Sequence, residues 1–65
     1  MSKGGYLKEK AEKSLELAGE LHKTVREMIP QVNDLDLQRL LKQIEADVMD
    51  LEHKLSMAIK LSSRE

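Results

Sequence analysis

Sixty-five residues without a cysteine make one small domain at most, and exclude disulfides and thiolate metal centres as the means of holding it together. The net charge is −1: residues 1–30 carry six Lys/Arg against five Asp/Glu, and residues 31–65 five against seven. That balance excludes the strong basic field on which nucleic-acid and anionic-membrane binders depend.

The residue mix is rich in Leu, Glu, Lys and Ala, with Tyr6 as its single aromatic, which is how long helices and bundles read. No apolar run exceeds Met57-Ala58-Ile59, so neither a bilayer span nor the apolar stretch of a signal peptide is expected, and a cytoplasmic, soluble protein follows. A core this small needs support, and association with another chain is what remains to supply it.

Residues 1–5 contain Ser2, Gly4 and Gly5 and no periodic apolar residue, and read as a flexible N-terminal segment before a helical domain over 6–65. The first helix is expected over about 6–29. Its apolar residues Leu7, Ala11, Leu15, Ala18, Leu21, Val25 and Met28 recur every three or four positions and form one stripe, which Ile29 extends. Pro30 ends it, having no N–H to donate and biasing Ile29 away from helical backbone. Asn33 is the expected N-cap of the second helix, with Asp36 three residues on and Val32 and Leu37 placed as a hydrophobic staple.

The second helix is expected over about 34–63. Leu37, Leu40, Leu41, Ile44, Val48, Leu51, Leu55, Ala58 and Ile59 give it a stripe broader than a two-stranded coiled coil requires. Broad stripes belong to multi-helix cores. The fold class is therefore all-α, an antiparallel two-helix hairpin that dimerises into a four-helix bundle, in preference to one long helix kinked at Pro30. The expected dimer core is Leu7, Ala11, Leu15, Ala18, Leu21, Val25, Leu37, Leu41, Ile44, Val48, Leu51 and Leu55. A loop centred near residue 31 or 32 sets Val25 beside Leu37 and Leu41, Ala18 beside Ile44, and Ala11 beside Leu51.

Two sets of residues fall outside that packing logic. His22 lies on the helix-1 stripe between Ala18 and Val25, where an imidazole either finds a neighbouring carbonyl or carboxylate and fixes register, or acts as a pH-sensitive contact in the seam. Under the second reading, charging a buried His22 loosens the dimer at pH 5 relative to pH 8. Met49, His53 and Met57 fall at i, i+4 and i+8 on the back of helix 2, next to Asp47, Asp50 and Glu52. They read as a solvated face or as an adaptable surface for a protein partner; thioether and imidazole would suit Cu(I), but one straight helix wraps a single ion poorly. Ile59 and Leu61 join this partner surface if helix 2 overhangs helix 1.

No catalytic residues, cofactor or metal site are expected: no cysteine, phosphate-binding glycine loop or Ser–His–Asp arrangement is present. Asp50-Leu51-Glu52-His53 falls short of a dinuclear metal element, which needs inward carboxylates from several helices. Ser14-Leu15-Glu16-Leu17 resembles the Ser-x-Glu-Leu-Asp signature of the Spo-zero-E-like phosphatase regulators of sporulation, with Ala18 where that signature closes on Asp. The whole pattern also resembles Rop-type plasmid copy-number regulators, helical hairpins that pair into bundles and bind RNA. That resemblance implies an RNA-binding regulator acting through a mildly basic helix-1 face, here Lys8, Lys10, Lys13, Lys23 and Arg26. Glu9, Glu12, Glu16 and Glu20 thread the same helix, so the residues favour the other class, a non-catalytic protein–protein interaction module or regulatory accessory subunit.

Overall fold

The computed structural model describes residues 3–64; Met1, Ser2 and Glu65 lie outside the described residues. Helix α1 spans Lys3–Met28, a 3-10 turn covers Ile29–Gln31, and helix α2 spans Leu35–Ser62. The helices pack on each other as an antiparallel hairpin, and 92% of the described chain is helical with no strand. Neither helix is long and apolar enough to cross a membrane.

Pro30 acts as the sequence indicates. It sits in the first turn of the 3-10 segment, where its missing N–H costs nothing, and Val32 N–H closes that turn on Ile29 O at 3.3 Å. The backbone then extends through Val32 and Asp34. The cap of α2 differs from expectation by one position. Asp34, not Asn33, is the N-cap: its Oδ1 accepts from Leu37 N–H at 2.9 Å, and its carbonyl accepts the first helical bond from Gln38 N–H at 2.9 Å. Aspartate and asparagine cap almost equally well, so composition alone does not separate adjacent candidates. Asp36 in the first turn and Lys60 in the last complement the helix dipole.

The register also differs. Ala18 lies with Leu51 and Leu55 along one groove rather than opposite Ile44, and Arg26 meets Glu45 at 3.3 Å. The connection accounts for this. Three 3-10 residues rising about 2.0 Å each and extended residues rising about 3.3 Å each carry the chain past the end of α1 before α2 turns back. Partners on α2 therefore come about two turns later than a symmetric tight loop gives. This removes the expected overhang: α1 extends back to Lys3, the helices are 26 and 28 residues long, and Ile59 is half-buried within the hairpin.

Among the described residues, the buried apolar side chains are Ala18, Val25, Leu41 and Val48. They form the line of contact, Ala18 and Val25 two turns apart on α1 and Leu41 and Val48 two turns apart on α2. Ala11, Leu15, Ile44 and Leu55 flank it half-buried, while Leu7, Leu21, Leu37 and Leu51 of the expected core are exposed in the single hairpin. The molecule is a rod, 51 × 14 × 10 Å with a Cα radius of gyration of 15.1 Å. A compact chain of this length would have a radius of about 11 Å.

Candidate functional site

The two helices make a flat unit with unlike sides. At 100° per residue, Leu17 and Leu21 lie to one side of the Ala18–Val25 line, and Gly19, His22 and Arg26 to the other. On α2, Leu40, Ile44, Leu51 and Leu55 fall to the first side of the Leu41–Val48 line, and Glu45 and Glu52 to the second. The packing shows this division directly. Ser14, Leu17, Ala18, Leu21, Leu51 and Leu55 line an open groove of about 400 Å³. A second groove of about 450 Å³ continues it toward the loop, between Thr24, Glu27, Met28, Gln31, Val32, Leu37 and Leu41. One side of the hairpin is thus predominantly apolar, edged by Ser14, Thr24, Glu27 and Gln31.

The other side carries an ionic clasp. His22 Nδ1 donates to Glu52 Oε1 at 2.7 Å, His22 Nε2 lies 3.4 Å from Glu45 Oε2, and Arg26 Nε reaches the same Glu45 oxygen at 3.3 Å. The His22 ring and both carboxylates are largely shielded, at 20%, 27% and 26% exposure. Both ring nitrogens thus face carboxylate oxygens of α2. His22 therefore sits where a carboxylate partner was one of the two expected readings. The carboxylates themselves were missed. In the sequence Glu52 reads as one of the outward acids of α2, yet it lies 40° around the helix from Val48 and turns toward α1. Glu45 and Glu52 recur at seven residues on one flank, a signal that becomes readable only once the register is known.

The clasp is no metal centre. Glu45 and Glu52 bind opposite nitrogens of the ring and so do not converge on one point, and the described residues hold no group of three metal-competent side chains. Met49, His53 and Met57 are exposed on the outer side of α2, and Leu61, four residues on from Met57, is exposed between that stripe and the open side. Of the basic residues on α1, Lys8, Lys23 and Arg26 fall within about 60° of one another, while Lys10 and Lys13 lie elsewhere on the helix. Lys10 stands over the Tyr6 ring at 5.5 Å, Lys13 lies 3.9 Å from Glu16, and Arg26 is taken up by Glu45.

No protein-family model, curated protein or solved structure matches this chain. Neither family resemblance in the sequence is carried further, and the surfaces themselves are what bear on function.

Proposed function

We propose that this chain is a non-catalytic interaction module that pairs with a second copy of itself into a four-helix bundle and presents the outer side of α2 to a protein partner. The observation that carries this reading is the open apolar side lined by Leu17, Leu21, Leu37, Leu51 and Leu55. Soluble monomers rarely leave so continuous a surface uncovered.

Area bears on the same point. The hairpin exposes 5317 Å² at 7.4 kDa. A compact monomer of that mass would expose about 4,200 Å². The excess of about 1,100 Å² is comparable with the roughly 800 Å² per partner that a standard interface covers. A second hairpin laid on the apolar side covers it and leaves the His22 clasp and the Met49, His53, Met57 stripe facing outward. Thioether side chains adapt to varied surfaces, which suits that stripe to docking.

A pair of charge insertions tests the assignment. Leu51 and Met57 are almost equally exposed in the hairpin, at 44% and 48%. Substitution by Glu therefore costs the hairpin itself about the same at either position. Leu51→Glu is expected to convert the dimer to monomer in light scattering, and Met57→Glu to leave the mass unchanged. A dimer that survives Leu51→Glu contradicts the proposal.

A further inference from the structure

We propose that the second copy lies antiparallel on the first, with the two loops at opposite ends, α2 against the partner's α2, and the two-fold axis level with Leu51. This rests on the bundle reading and adds its orientation.

Leu40, Asp47, Lys54 and Leu61 recur every seven residues, so they occupy one flank of α2, beside Leu51 on the open side. All four are exposed. Leu40 and Leu61 are equally distant from the midpoint between Asp50 and Leu51, and so are Asp47 and Lys54. Antiparallel α2 helices crossing at that midpoint set Leu40 against the partner's Leu61 and Asp47 against the partner's Lys54, each twice. Lys54 is held over Asp50 at 3.1 Å and keeps donors to spare, while Asp47 has no ion-pair partner among the described residues.

The other arrangements waste these charges. A parallel α2 pair meets like with like, Asp47 on Asp47 and Lys54 on Lys54, which is repulsive. Loops at one end, with α2 on the partner's α1, set Asp47 level with Thr24 and Lys54 level with Leu17. That follows from the register in which Arg26 meets Glu45 and His22 meets Glu52. Neither charge then meets a counter-charge on the partner: Asp47 is covered unpaired, which is costly, and Lys54 keeps only Asp50 of its own helix.

α1 points independently to the same axis. Ser14, Leu17, Leu21 and Thr24 lie on the open side and are symmetric about residue 19. Glu52 reaches from His22, at 2.7 Å, back to within 3.9 Å of where a Cβ on Gly19 would stand. Residue 19 is therefore level with residue 52, and one two-fold axis serves both helices to within about 2.3 Å, the rise of one and a half residues. The Ser14 and Thr24 hydroxyls already donate to Lys10 O and Glu20 O, both at 2.9 Å, so covering them orphans no donor.

The chain has no cysteine, so Ser63→Cys accepts a single spin label at the exposed end of α2. In the antiparallel dimer the two labels stand about 38 Å apart, from 1.5 Å per residue on either side of the axis. Either arrangement with the loops at one end brings them within about 20 Å, given helix spacings of 8–10 Å. Pulsed electron paramagnetic resonance is expected to give the long distance. A short distance with a dimeric mass overturns the orientation alone; a monomeric mass overturns the bundle as well. Charge exchange adds a second readout. Asp47→Lys and Lys54→Asp are each expected to raise the dimer Kd about tenfold, and Asp47→Lys/Lys54→Asp to restore it, because charge pairing fixes register and partner choice. A double variant as weak as the singles contradicts the proposal.

Discussion

His22 ties the hairpin together from the polar side, and its worth can be set against its geometry. A charge-assisted bond of 2.7 Å in a shielded site contributes more than a surface ion pair, so His22→Ala is expected to cost about 1–2 kcal/mol, part of it from leaving Glu52 without its donor while Glu45 keeps Arg26. A double-mutant cycle with Glu52→Ala, read by urea unfolding at one fixed protein concentration, is expected to show a coupling above about 0.5 kcal/mol. Additive effects would mean that the contact carries no energy. Asp34 and Asn33 give a sharper contrast. Asp34→Ala removes the bond to Leu37 N–H and is expected to cost about 1 kcal/mol, whereas Asn33→Ala is expected to be nearly neutral. Equal effects would contradict the observed cap. His22 was legible as an anomaly because an imidazole on an apolar stripe breaks the pattern; Glu45 and Glu52 were not, because their inward turn depends on which turn of α1 they face.

For the helices themselves, hydrophobic periodicity and one proline were enough to place α1, the break and α2 to within a few residues. Those are local properties of the chain. Register is not local. It is set by how far residues 29–34 climb, and a 3-10 turn followed by extended backbone climbs further than a symmetric loop, which is why Ala18 meets Leu51 and Leu55. Gly19 offers a test of that register. It lies in mid-helix, where glycine is less favourable than alanine by about 0.5–1 kcal/mol. An added methyl would meet only Glu52 Oε2, at an ordinary 3.9 Å. Gly19→Ala is therefore expected to stabilise the protein by about that amount in thermal unfolding followed by circular dichroism. A destabilised variant would mean that another side chain occupies the space the register leaves open.

For the whole molecule, the division into an apolar side and a polar clasp decides the argument. Had Glu45 and Glu52 fallen on the same side as Leu51 and Leu55, a second copy could not cover the leucines without stripping water from the carboxylates. The broad stripe of α2 was visible in the sequence as an excess over what one partner helix could bury. Which residues stayed uncovered was not, since Leu41 and Val48 are buried and Leu40 and Leu51 exposed on the same stripe. The central claim is that this uncovered side is an interface between two copies. Sedimentation equilibrium of the unmodified chain over a series of micromolar concentrations reads this out, since association makes the mass concentration-dependent. Twice the 7.4 kDa chain mass is expected across most of that series; a 7.4 kDa monomer at every concentration rules the interface out.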